Sequence, residues 1–147
     1  MKINIRNGSK KDLPAIYRLV KALALYENEP DAVTATIEDY HRDFDNGLFS
    51  IIVATDKEKV VGMMLFYNAY STWKGKMIYL EDFIVDKNYR KQGIGQHLMD
   101  FLVDYAKQEN AKLVKWQVLN WNTPAINFYK KNDAIIEDNW WNCKIFS

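Results

Sequence analysis

The sequence predicts an α/β protein of the α+β type, a mixed central β-sheet flanked by about four helices, in a single domain over residues 1–147. Three observations predict it. The apolar runs LFSIIVAT and KVVGMMLFYNAY are separated only by the polar turn DKEK, the pattern of an antiparallel hairpin. A further strand-like run, KMIYLEDFIVD, passes through a Gly-containing turn straight into helical periodicity. Two helical segments precede the hairpin, so the element order reads β-α-α-β-β-β-α-β-α-β. That order describes a mixed sheet with helices on its faces, not an uninterrupted doubly wound fold.

Each element has a local reason. KINIR alternates with period two and opens as a strand. Ser9 can cap the next helix, with Asp12 in a capping-box position and Pro14 tolerated near the first turn. Leu13, Ile16, Tyr17, Leu19, Val20, Leu23 and Ala24 give that helix one apolar face. A polar connection leads to IEDYHRDF, a short helix that Thr36 caps and that ends near Asn46-Gly47. After the hairpin, STWKG turns the chain into KMIYLEDFIVD. The helix beyond the Gly-containing turn carries Ile94, Leu98, Phe101, Leu102, Tyr105 and Ala106 as its stripe. KLVKWQVL reads as another strand, NTPAINFYKK as a short helix, and AIIEDNWWNCKIF as one or two terminal strands.

Composition excludes several function classes. Twenty basic against nineteen acidic side chains leave a formal charge of +1, giving no field to draw in nucleic acid or an anionic membrane. No run approaches the roughly 20 apolar residues of a membrane span, and MKINIRNGSK has no apolar signal core, so a cytoplasmic protein is expected. The one cysteine, Cys143, excludes an internal disulfide and a CxxC site, and is expected as a small apolar residue near a terminal strand. His41 and His97 are the only histidines and lack a second ligand at metal spacing, so no metal is expected.

The turn YRKQGIGQHL carries the sharpest signal. It has no Lys-Ser/Thr for a Walker loop, and Leu98 replaces the third glycine of a dinucleotide fingerprint. What remains is Arg90-x-x-Gly93-x-Gly95 between a strand and a helix. Backbone N–H groups there can form a nest around a pyrophosphate, and the glycines allow close approach.

In this context the sequence resembles the GNAT acetyltransferase superfamily, whose acetyl-CoA loop is Arg/Gln-x-x-Gly-x-Gly/Ala at this junction. YLEDFIVDKNYRKQGIG, WNTPAINFYKK and LVKALALYE together are similar to its diamine (spermidine/spermine) and thialysine N-acetyltransferase branch, over about residues 19–131. The resemblance implies the acyl-CoA N-acyltransferase fold, with acetyl-CoA as cosubstrate. It implies that the backbone of Phe83, Ile84 and Val85 pairs with the pantetheine arm. Arg90, Lys91, Gln92, Gly93, Ile94, Gly95 and Gln96 would surround the pyrophosphate. Asn122, Thr123, Pro124 and Ala125, with Tyr129, would flank the thiol end. For the amine it implies Tyr26, Glu27, Glu81, Asp82, Trp116, Gln117, Val118, Asp138 and Trp140, and it implies a homodimer, for which the terminal segment with its adjacent tryptophans is the candidate surface.

Acetyl transfer to an alkylamine, with a solution pKa of roughly 10.4, needs a carboxylate to help remove the ammonium proton. Glu81 and Asp82 sit mid-strand in an apolar run and are expected on opposite faces. The resemblance gives Glu81 the roles of amine-binding group and base, and Tyr129, a phenol protonated at neutral pH, that of acid toward the departing thiolate. Asn122 and Thr123 also read simply as cap residues.

Two departures stand out. Ser71 occupies the place of the family's acidic residue before the Trp, with Lys74 after it. Asn132-Asp133 replaces the usual Gly after NFYKK, and Asn132 is expected to take the left-handed cap. The sequence thus predicts an amine N-acetyltransferase acting by direct attack in a ternary complex. An acetyltransferase for protein lysines or N-termini and a non-catalytic CoA-binding module are the alternatives.

Overall fold

The computed structural model describes residues 2–147. Backbone proximity divides the chain into two units, Met1–Trp116 and Gln117–Ser147.

In the first unit, β1 (Ile3–Asn7) is joined by a 3-10 turn at Lys10–Asp12 to α1 (Leu13–Tyr26). Arg6 forks onto both oxygens of Asp12, at 2.8 and 3.0 Å, and the Ser9 amide donates to the same carboxylate at 2.8 Å. The Arg6 hydrogen bonds hold the nearly buried Asp12 carboxyl below its usual range and fix where α1 leaves the strand. α2 (Ile37–Asp45) carries the expected cap. The Asp39 amide donates to the Thr36 hydroxyl at 3.1 Å, and the Thr36 amide to the Asp39 carboxylate at 2.8 Å.

β2 (Ser50–Asp56), β3 (Lys59–Ser71) and β4 (Gly75–Val85) form an antiparallel meander with β1 outside β2. After α3 (Ile94–Gln108), β5 (Val114–Lys115) adds in parallel to β4, so the sheet is mixed and ordered β1-β2-β3-β4-β5. One face carries Ile51, Val53, Met63, Leu65 and Ile84, packed with Leu13, Ile16 and Leu19 of α1. The other carries Phe66, whose ring meets Tyr105 of α3 edge-on at 5.2 Å. It also carries Gly62, where a Cβ would lie 3.2 Å from the Leu98 side chain, so the glycine lets α3 sit close to the sheet.

β4 breaks its alternation at one residue. Leu80 pairs with Phe66 and Asp82 with Leu65, which leaves Glu81 as the extra residue of a β-bulge. Residues directly opposite in a ladder share a face. Leu80 therefore lies on the α3 face, and Asp82 on the α1 face with Leu65. Tyr79 pairs with Tyr67, also on the α1 face, and Glu81 reaches the Tyr67 hydroxyl there. The bulge thus turns both carboxylates to one side, which corrects the expectation that they face opposite sides. Simple alternation fails because the bulge inserts one residue without a partner.

The bulge also limits β5. The ladder joins only Ile78 to Val114 and Tyr79 to Lys115, ending before the bend. The strand expected over 112–119 is accordingly cut to two residues, and Trp116, Gln117 and Val118 follow it rather than belong to it.

The second unit contains α4 (Thr123–Lys131). The Asn122 side chain accepts from the Ala125 amide at 3.4 Å, and Pro124 sits in the first turn, as the sequence suggests. The left-handed residue after the helix is Asp133, at φ 60°, not Asn132. Asn132 instead donates its side-chain amide to the Phe128 carbonyl at 3.0 Å. The predicted terminal strands are not formed, for residues 134–147 hold neither helix nor strand. Trp141 and Ile145 are 90 % and 99 % exposed, and Trp140 and Phe146 are 71 % and 89 % exposed, so neither parity of the apolar alternation gains burial. Cys143, expected as a buried residue near a strand, is likewise exposed.

Candidate active site

Two features of the first unit meet along β4. The first is a cluster of acid and aromatic side chains on the α1 face. Asp82 is half-buried, and its carboxyl is pushed up to about 6, by burial first and then by the charges of Glu81 and Glu27. Glu27, the residue that ends α1, is itself raised by burial. Glu81 is exposed and accepts a hydrogen bond from the Tyr67 hydroxyl at 3.0 Å. Burial and that bond push the Tyr67 phenol up to about 12. The Tyr67 ring stacks on Tyr79 across the hairpin at 5.5 Å. From α2, Tyr40 feels the charges of both Asp82 and Glu81 and is pushed up to about 12, mainly by burial. Among the described residues, no lysine or arginine forms an ion pair with Glu27, Glu81 or Asp82.

This arrangement suits an organic cation. Three carboxylates without a basic partner repel one another until a positive charge arrives, and the rings beside them offer negative faces. Tyr40, Tyr67 and Tyr79 are the residues that sequence reasoning missed. One signal for the pair was present: Tyr67 and Tyr79 are equidistant from Trp73 at the hairpin tip, which gives their register.

The second feature is the turn at the end of β4. A 3-10 turn, Lys87–Tyr89, delivers the chain to Arg90, after which Lys91 and Gly93 take left-handed φ values of 62° and 82°. Gly93 is the N-cap of α3, and no side chain caps that helix. Left-handed residues just ahead of a helix start are the backbone conformations from which anion-binding nests of N–H groups are built. Arg90, Lys91 and Gln92 are exposed around it, Ile94 is buried, and Gly95 and Gln96 continue into the first turn of α3. Arg90 donates to the Val85 carbonyl at 3.2 Å and lies over the Tyr26 ring at 5.7 Å. Tyr26 is thereby placed beside the loop.

Between these features run Phe83, Ile84 and Val85. They pair with Met64, Met63 and Gly62 of β3, and no β5 residue is in register with them. At the hairpin tip, the Ser71 hydroxyl accepts from the Trp73 and Lys74 amides at 3.3 and 3.0 Å, a turn-capping task that an acidic residue could equally perform. In the second unit, Tyr129 is 8 % exposed on α4, Gln117 hydrogen-bonds Asn142, and Asp138 and Trp140 are exposed.

Comparison with known proteins adds the following. A family model described as Acetyltransferase (GNAT) family matches residues 13–133. The chain is 36% identical to human "Spermidine/spermine N(1)-acetyltransferase-like protein 1", covering 89% of this chain but only 20% of that protein. It is 35% identical to the Bos taurus "Thialysine N-epsilon-acetyltransferase", covering 96% of this chain and 90% of that one. Among solved structures, an aminoglycoside acetyltransferase from an uncultured soil metagenomic sample superposes with TM-score 0.83 at 20% identity, over 99% of this chain and 96% of that one. No helix among the described residues is long and apolar enough to cross a membrane.

Proposed function

Since the chain belongs to the GNAT acetyltransferase family, we propose that it moves an acetyl group from acetyl-CoA to a primary amine of a small molecule, of the diamine or thialysine/lysine-like kind. One observation carries the substrate class: Glu27, at the end of α1, gathers with Glu81 and Asp82 of β4, the strand that leads into the anion nest, and none of the three has a basic partner among the described residues. A cluster of that charge draws in an ammonium and disfavours an acid.

The residues present fit the cosubstrate. The uncapped start of α3 and the Lys91–Gly93 turn suit its pyrophosphate, and the β4 edge at Phe83, Ile84 and Val85 suits its pantetheine amides. Acetyl-CoA, when bound, supplies the activated acetyl group. Glu81 and Asp82 hold the ammonium, and this carboxylate cluster accepts its proton. Glu81 is the member implied by resemblance to the family, and Asp82 is the one whose burial brings its titration near neutral pH. Glu27, with Tyr40, Tyr67 and Tyr79, orients the rest of the amine. The resemblance assigns Tyr129 the role of acid toward the leaving thiol, Asn122, Thr123, Pro124 and Ala125 to the cofactor's thiol end, and Trp116, Gln117, Val118, Asp138 and Trp140 to binding of the amine. The reaction proceeds by direct attack in a ternary complex, in a single domain acting in the cytoplasm as a homodimer. The dimer reading rests on the exposed Trp140, Trp141, Ile145 and Phe146.

The test is thiol release from acetyl-CoA with spermidine, putrescine, thialysine, lysine and a lysine peptide as acceptors. Turnover with at least one small amine, faster than with the peptide, is expected. CoA binding without turnover on any acceptor would overturn the reading.

A further inference from the structure

Four exposed or strained positions of the anion loop, 90 to 93, lie between two fixed points. On the helix side the anchor is apolar: Ile94 is 1% exposed. The anchor on the strand side is polar, and nothing in the motif itself explains it. The Tyr89 hydroxyl donates to the Asp56 carboxylate at 3.0 Å, and Lys59 sits 5.4 Å from the centre of the same ring. Asp56 ends β2 and Lys59 begins β3, so both belong to the hairpin turn that crosses beside the loop. The backbone is tied down just upstream. The Asp86 amide donates to the Val61 carbonyl at 2.8 Å, the Tyr89 amide to the Asp86 carbonyl at 2.8 Å, and the Asn88 amide to the Asp86 carboxylate at 2.9 Å.

The geometry assigns Tyr89 the role of positioning residue for the anion nest, acting through its hydrogen bond to Asp56. The reason is mechanical. Lys91, a residue with a Cβ, holds φ at 62°, and such a conformation persists only where the surroundings dictate it. Among the described residues, Arg90 is held only by its bond to the Val85 carbonyl and its contact with the Tyr26 ring, and Lys91 to Gly93 are exposed, so the nest keeps its shape only if both ends are fixed. Ile94 fixes one end against the core, and the Tyr89–Asp56 bond fixes the other against the sheet. Loosening that end spreads the N–H groups over many arrangements, and the cost falls on whatever they bind together. The amine cluster lies on the α1 face of β4 and does not share this anchor.

The inference rests on the reading of the nest as the site for CoA pyrophosphate. Its test uses titration calorimetry with CoA, together with KM values for acetyl-CoA and for the amine, and a thermal melt of each variant. Tyr89→Phe keeps the ring over Lys59 and loses the bond; Asp56→Ala removes the acceptor; Asp56→Asn retains a carbonyl oxygen. Each of the first two is expected to weaken CoA binding by roughly three- to tenfold, the range that one net hydrogen bond spans. The amine KM and kcat should stay within about twofold, Asp56→Asn should recover most of the affinity, and the double variant should be no weaker than the singles. Unchanged CoA affinity in Tyr89→Phe, additive losses in the double variant, or an equal rise in both KM values would overturn the assignment. If Tyr89→Phe melts before it can be measured, Asp56→Ala reads the same bond from the other side. A wild-type protein that binds no CoA overturns the functional reading instead.

Discussion

Asp82 connects stability with activity in a way that a single substitution can separate. Its carboxyl is raised from 3.8 to about 6, by burial and then by Glu81 and Glu27. The folded state therefore holds a proton that the unfolded state releases between these values. Below about 4 both states are protonated and this carboxyl costs nothing. As the pH rises through 6 the folded protein must ionise it, and stability is lost. At 1.36 kcal/mol per pH unit, the full cost near pH 7 is about 3 kcal/mol. Asp82→Asn keeps the shape and removes the charge. It should therefore stabilise the protein at pH 7–8 by roughly 1–3 kcal/mol, or about 3–10 °C in Tm for a chain of this size. Near pH 4 the same substitution should change almost nothing.

Activity should move the other way. In the wild type, kcat/KM for the amine should rise with pH through about 6, following ionisation of the free cluster. Asp82→Asn should lower it by at least tenfold and flatten that limb. An ammonium beside the cluster favours ionised carboxylates, so the limb in kcat should lie at lower pH than the limb in kcat/KM. Thermal melts from pH 4 to 8 beside pH–rate profiles make the measurement. A stabilisation independent of pH would refute the reasoning, because it would show that packing, and not a confined charge, distinguishes Asp82 from Asn. The causes of the raised pKa are identifiable: burial first, then the charges of Glu81 on β4 and of Glu27 at the end of α1.

Three further outcomes are expected. Tyr129→Phe should lower kcat by about 10²-fold while leaving CoA affinity intact, since it removes a proton donor and little volume; steady-state kinetics with direct CoA titration checks it. Gly93→Val places a branched residue at φ 82°, at a strain of roughly 1–2 kcal/mol, and should raise the acetyl-CoA KM about tenfold with the amine KM little changed. Asp12→Ala strands Arg6 and the Ser9 amide and should cost about 2 kcal/mol in urea unfolding, less than a fully buried pair because Arg6 remains a third exposed. Because Arg6 lowers the Asp12 pKa, the wild type's advantage over Asp12→Ala is present above the ordinary carboxylate range and should vanish as the pH falls through the folded value.

Sequence patterns reported what depends on neighbours along the chain, and lost what depends on neighbours across it. Thr36 and Asn122 were legible as caps because a cap joins residues three apart. The junction at Gly93 was legible as a strand-to-helix turn because the strand, the turn and the helix are contiguous. Glu81 and Asp82 were legible as chemistry but not as geometry. Their common face depends on a bulge, and a bulge is a mismatch between two strands that neither strand's alternation contains. The terminal apolar run failed for a related reason: period two can be written without a strand to pair with, and residues 134–147 have none. The same rule explains why Tyr89 stood inside the quoted motif while its function went unread. Its partner, Asp56, is 33 residues away, in a turn that composition described only as polar. The turn DKEK has two roles in this structure, closing a hairpin and anchoring the loop beside it, and only the first leaves a mark in the spacing of its own residues.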